Sequence, residues 1–176
     1  MHGITRMKKK SCPENGIASK KIELFQFITT TSDAMVEEII YENRLMAIII
    51  RGYYHEEGIH FFTPPEFSQQ LAYMHHPAGK LIEPHIHNPV PREVHYTKEV
   101  LVIRKGKLKV DFYSENQQYI KSRLLNKGDI ILLSEGGHGF EVIEEIEMYE
   151  IKQGPYAGDN DKTRFKQKKE DINFKS

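Results

Sequence analysis

The chain holds a single cysteine, Cys12, in a polar stretch. One thiol cannot close an intrachain disulfide, which excludes a disulfide-stapled scaffold and agrees with a reducing compartment. No apolar run approaches the roughly 20 residues that cross a bilayer as a helix. Leu45 to Ile50 is too short and is bracketed by Arg44 and Arg51. Net charge is lacking as well. Lys+Arg and Asp+Glu balance at 25 each, so no overall field draws the protein to nucleic acid or to an anionic membrane. Repeats, low-complexity segments and long helical patterns are absent. The basic opening Met1–Lys10 is not followed by the apolar segment of a secretory signal, and a cytoplasmic location is the expectation.

At 176 residues, 39% hydrophobic and 28% charged, the chain suits one domain with a core and a tail or two. Four parts are expected. Residues 1–21 are polar and Lys-rich and read as a flexible arm. Residues 22–67 hold strands that either pack on the main body or form a dimer interface. Residues 68–158 form that body, and 159–176 a basic C-terminal extension with Phe165 and Phe174.

The local signals are mostly β. Ile22–Ile28 is rich in strand formers, and Met35–Tyr41 and Leu45–Tyr53 flank Glu42-Asn43-Arg44 as a hairpin would. Ser32-Asp33 offers an alternative there, the cap of a short helix through Glu37. Ile59–Phe62 and Phe67–His75 follow. The clearest alternation sets Leu108, Val110 and Phe112 inward against Lys107, Lys109 and Asp111 outward. Tyr119–Leu125, Asp129–Leu133, Gly139–Val142 and Met148–Lys152 continue the series, separated by turn residues. Many short strands at this spacing predict an all-β sandwich or jelly-roll barrel.

Histidine carries the chemical signal. Five of the nine (His75, His76, His85, His87, His95) fall within 21 positions. His85 and His87, at i and i+2, face the same way if they lie on a strand. With the carboxylate of Glu99 and the imidazole of His138, they make three nitrogen donors and one oxygen, a set that suits a divalent transition metal with open positions. Glu93 or His95 are alternatives to Glu99. Gln69, Tyr73 and His75 share one alternating face, Phe140 lies close to His138, and Arg92 has the planar fork for a carboxylate or phosphate. These residues and His95 are the candidates for binding a small polar molecule.

Gly79-x5-His85-x-His87, followed by Glu99-x6-Gly106, resembles the first motif of the cupin superfamily, and Gly128, Gly136 and His138 follow its second motif loosely. The likeness covers roughly residues 68–152. There are departures. The spacer from His87 to Glu99 is 11 residues, far longer than usual; Ser134 replaces a proline; His138 arrives one residue early; and Val142 stands where the family has asparagine. The resemblance implies a double-stranded β-helix, or jelly-roll barrel, around one divalent metal (Fe, Mn, Ni or Zn) held by His85, His87, Glu99 and His138. It further implies a homodimer and a small-molecule ligand such as a sugar or sugar acid. The activity would be that of an isomerase, epimerase or dioxygenase, or else ligand binding without catalysis. Similarity to small cupins of surface-polysaccharide pathways points the same way. Neither nucleic acid nor membrane is expected as a partner.

Overall fold

A computed structural model describes residues 34–155 and 158–166. The expected arm at 1–21, the strand formers at 22–28 and residues 167–176 lie outside the described residues. Within them are eight strands, one short 3-10 turn at Gly158–Asp161, and no α-helix. Among the described residues no helix is long and apolar enough to cross a membrane.

Strands β1 (Val36–Tyr41) and β2 (Arg44–Ile50) form the expected hairpin. Glu42 and Asn43 both take positive φ, 49° and 61°, the backbone a two-residue turn needs to match strand twist. No helix reaches Glu37, and the cap at Ser32-Asp33 lies outside the described residues. Glu37 lies in β1, where its carboxylate accepts from Arg123 Nε at 2.7 Å and from Arg51 at 3.5 Å.

Strand β3 (Gly58–Phe61) pairs with β4 (Ala72–His75) in a small separate sheet. The expected strand at 67–75 is therefore shorter, and the cause is Gln70. Its amide donates to the carbonyls of Pro64 and Phe67 and accepts from the Thr63 hydroxyl, which closes residues 63–71 as a loop. Residues 76–98 contain no strand. Pro77, Pro84, Pro89 and Pro91 each remove a ladder donor.

The main sheet joins β1, β2, β7 (Ile130–Leu133), β5 (Glu99–Tyr113) and β6 (Tyr119–Asn126) in that order, all antiparallel. The sixth strand, β8 (Gly137–Lys152), pairs along the other edge of β5. The stretches expected at 139–142 and 148–152 are parts of this one strand.

The pairing forces the sheet to curl. Glu99 pairs with Leu133, Tyr113 pairs with Gly137, and those two partners are only four positions apart. Four residues reach at most about 14 Å, so the ends of β5 lie within about 25 Å of each other once strand spacings are added. A straight strand of 15 residues would span roughly 50 Å. The bend falls at the register shifts between Ile103 and Leu108, and Gly106 sits inside it with φ +81°. A Cβ there would lie 1.9 Å from the carbonyl oxygen of Glu145, so only glycine lets β8 follow the turn. The result is a curled antiparallel sheet, half of a barrel.

The core lines one face: Ile39, Ala47, Ile49, Leu101, Ile103, Leu108, Val110, Phe112, Leu125, Ile131 and Leu133 are all buried. Each such side chain contributes about 1.5–3 kcal/mol by leaving water. On the opposite face Lys105, Lys107 and Lys109 pair with Glu145, Glu144 and Glu141 at 2.7–2.8 Å across β5 and β8. These exposed pairs are worth a few tenths of a kcal/mol each and serve register more than stability. Asp111 lies on this outer face as expected, 3.5 Å from Lys109 Nζ. It is buried and accepts a hydrogen bond from the Ser122 hydroxyl.

Asp129 anchors the other end of the sheet. It is 3% exposed and accepts from Gly52 N–H at 2.8 Å, Asn126 N–H at 3.0 Å and Arg51 Nη1 at 3.0 Å. One carboxylate thereby ties β2, β6 and the start of β7 together, fully matched by donors as burial requires.

Candidate functional site

Glu99 opens β5 and His138 is the second residue of β8. His138 pairs with Phe112, far along β5 from Glu99. Even so, the imidazole Nε2 lies 3.2 Å from the Glu99 carboxylate, because the curl brings the two ends of β5 together. Lys152, at the far end of β8, reaches the other oxygen of Glu99 at 3.8 Å. Both ends of β8 thus meet at one carboxylate.

Glu99 lies on the core face with Leu101 and Ile103, and its side chain is 14% exposed against 30% for His138. The hydrogen bond from His138 holds the Glu99 carboxyl below the usual carboxylate range. Partial burial opposes this, and the positive charges of His138, Lys152 and Lys162 reinforce it. The pair therefore presents an ionised carboxylate against an imidazole, and Lys152 is shared between Glu99 at 3.8 Å and Glu150 at 3.6 Å. The Phe140 ring lies 5.3 Å from the His138 ring, tilted over it, as the i, i+2 spacing on β8 demands.

The other candidates fall into two groups. Gln69, Tyr73 and His75 belong to the β3–β4 unit. Tyr73 packs edge-on against Tyr54, and His75 lies 4.6 Å from His55, ring to ring. Gln69 Oε1 and His75 Nδ1 are buried with no hydrogen-bond partner among the described residues, and buried polar atoms ordinarily have one. This unit borders the pair. Lys98 sits over the Phe67 ring at 4.4 Å, and Gln153 reaches the Ser68 hydroxyl at 3.4 Å.

His85, His87, Glu93, Arg92 and His95 lie in the exposed 76–98 segment. His85 and His87 are not on a strand as expected, since Pro84 precedes them and Pro89 and Pro91 follow. Their rings meet each other edge-on at 5.1 Å, and His85 Nδ1 contacts the Glu83 carbonyl at 3.0 Å. Glu93 and His95 pair with one another at 3.3 Å. Neither alternative to Glu99 is placed beside His138.

For a divalent metal, the fit is therefore half complete. Glu99 and His138 supply one oxygen and one nitrogen at chelating distance, and the donor chemistry suits a transition ion. Among the described residues no group of three or more His, Cys, Asp or Glu is gathered. His85 and His87 join such a site only if the segment carrying them turns inward, and that segment ends at Glu99 itself. A cavity of about 100 Å³ between Tyr41, Arg44, Glu115 and Gly136 is far smaller than ligand sites generally are.

Sequence reasoning missed Lys152, Lys162 and Gln153. Reading β8 as two short strands hid Lys152 and its neighbour Gln153, and Lys162 lies beyond β8, after the turn at Gly158–Asp161. As one strand antiparallel to β5, β8 sets Lys152 opposite Glu99 by register. Comparison of the chain with protein families, with curated proteins and with solved structures gave no match.

Proposed function

We propose that the chain is a metal-binding protein of jelly-roll, cupin-like type that takes a small, acidic polar molecule such as a sugar acid. The observation that carries this reading is the 3.2 Å contact between Glu99 and His138. These residues are 39 positions apart in sequence (138 − 99), were picked out by spacing, and meet through the curl of β5. Glu99 and His138 would hold the ion, with His85 and His87 from the adjoining segment completing its donors. A bound divalent ion supplies Lewis acidity, polarising a carbonyl or hydroxyl of the ligand. Lys152 and Lys162 would face the ligand's carboxylate or phosphate. Gln69 and Gln153 offer amide groups at the same border.

The test is calorimetric titration of the chelator-treated protein with Zn²⁺, Mn²⁺, Ni²⁺ and Fe²⁺, beside a His85→Ala/His87→Ala variant. One-to-one binding that weakens about 10–100-fold in the variant supports the four-donor reading. Equal affinity in both removes the segment's histidines from the site.

A second reading is binding without metal or turnover, and Lys152 is the observation that favours it. Its ammonium already partners Glu99 at 3.8 Å, so the cationic place beside the carboxylate is filled by the chain itself. Stabilisation of the protein by sugar acids in the presence of chelator supports this reading. Stabilisation that appears only with metal present excludes it.

A further inference from the structure

We infer that the ligand is a cyclic acid, a six-membered sugar ring whose apolar face lies on Phe140 and whose carboxylate turns to Lys152 and Lys162. This rests on the reading of Glu99 and His138 as the binding centre and narrows what that centre takes. Register says which side chains of β8 turn inward, because residues directly opposite in an antiparallel pair share a face. His138 lies opposite Phe112, Phe140 opposite Val110, and Val142 opposite Leu108. Those three β5 residues belong to the core and are at most 1% exposed, whereas Phe140 is 42% and Val142 56% exposed. The inner face is thus covered along β5 and bare along β8, at the lip of the half barrel. On the outer face of the same stretch Glu141 is held by Lys109 at 2.7 Å, so only the inner side offers apolar surface.

Length and chemistry choose the occupant. From Phe140 to Val142 the strand rises about 7 Å, close to the breadth of one sugar ring. Beyond Val142 the register shifts, and Ile146, partly buried against the core, ends the bare strip. A six-membered sugar ring carries its hydroxyls around the rim and turns C–H groups to its faces, which suits the negative face of a phenyl ring. An open-chain acid carries hydroxyls along its whole length and would press some of them, unpaired, against Phe140 and Val142. The Phe140 ring is 5.3 Å from that of His138, so a sugar stacked on it abuts the Glu99–His138 pair. Charge then orients the acid. His138 and Lys152 take different oxygens of Glu99, at 3.2 and 3.8 Å, which sets the ammonium beside the imidazole. The other inner arm of β8 is unfavourable, since Glu150 lies there opposite Leu101, 3.6 Å from Lys152. The inward residues His138, Phe140 and Val142 include no carboxylate.

The test is calorimetric titration of the full chain with glucuronate, gluconate and methyl glucoside, once with Zn²⁺ and once with chelator. Glucuronate should bind about tenfold or more tightly than gluconate, which has no ring, and than methyl glucoside, which has no carboxylate. Phe140→Ala should weaken glucuronate about tenfold and leave gluconate unchanged, and Phe140→Trp should keep the preference. Tyr149 lies opposite Val102 on the outer face and is 56% exposed, so Tyr149→Ala should change neither acid. These positions are exposed, and circular dichroism should be the same throughout. Gluconate as tight as glucuronate, or a Phe140→Ala variant that loses neither acid or both alike, overturns the ring while the acid site stands. Methyl glucoside as tight as glucuronate overturns the placement of the carboxylate. Binding of neither acid, with metal or without, overturns this inference together with the reading it rests on.

Discussion

Asp129 and Glu99 are carboxylates of the same sheet, both shielded from water and both set against cations. Asp129 has Arg51 and two backbone N–H groups within 3.0 Å and is 3% exposed. Glu99 has one imidazole at 3.2 Å and an ammonium at 3.8 Å, and its side chain is 14% exposed. The first is closed: every partner is short and fixed, and nothing more can approach. The second is open, with longer contacts and coordination capacity to spare. A carboxylate matched this fully serves stability, and one matched this loosely is available to bind. The difference follows from chain position. Asp129 sits in a tight turn whose N–H groups point at it, whereas Glu99 sits at a seam where the ends of β8 meet.

The comparison can be broken by substitution. Asp129→Ala should cost about 3–5 kcal/mol, because it strands the Arg51 charge and two N–H groups. A denaturant midpoint that barely moves would contradict the structural role. Gly106→Val should cost about 2–4 kcal/mol, from positive φ and collision with the Glu145 carbonyl. It should also lower metal or ligand binding, since the bend that brings His138 to Glu99 would open. Retained binding in that variant would separate the curl from the site.

Glu99→Gln should change stability by only about 1 kcal/mol at neutral pH while abolishing binding. The acid limb sharpens this. Glu99 has its carboxyl lowered in the folded state, so the unfolded chain binds a proton first as pH falls. The stabilisation is therefore complete above the ordinary glutamate range and is lost as pH drops through the lowered folded value. Metal-free wild type should lose its advantage over Glu99→Gln across that window. Parallel stability curves for the two would rule out the Glu99–His138 bond as its source. The smallest effect belongs to the outer ladder, where Lys107→Ala should cost less than about 0.5 kcal/mol in thermal melts.

Much of the sheet was legible because alternation reports burial directly. Leu108, Val110 and Phe112 point inward as their spacing requires, and Glu42-Asn43 makes the turn between β1 and β2. Glu99 does begin a strand, and it does meet His138. Other features were hidden for physical reasons. Strand β8 looks like two strands because Glu144, Glu145 and Glu147 interrupt the apolar pattern, and the lysine partners of Glu145 and Glu144 lie some 40 positions upstream at Lys105 and Lys107. The strand at 67–75 is cut short by the side chain of Gln70, whose bonds to loop carbonyls no propensity foretells. His85 and His87 read as strand neighbours by spacing, yet the prolines around them deny the backbone its ladder. Lys152 became visible only through register, which depends on where a long strand bends.

The central claim is that Glu99 and His138 form the binding centre, and elemental analysis tests it most directly. Protein purified without chelator, and reconstituted with Fe, Mn, Ni or Zn, should carry close to one metal per chain. A Glu99→Ala/His138→Ala variant with unchanged circular dichroism should carry none. Wild type that stays metal-free after reconstitution, or a double variant that keeps its metal, would contradict the account.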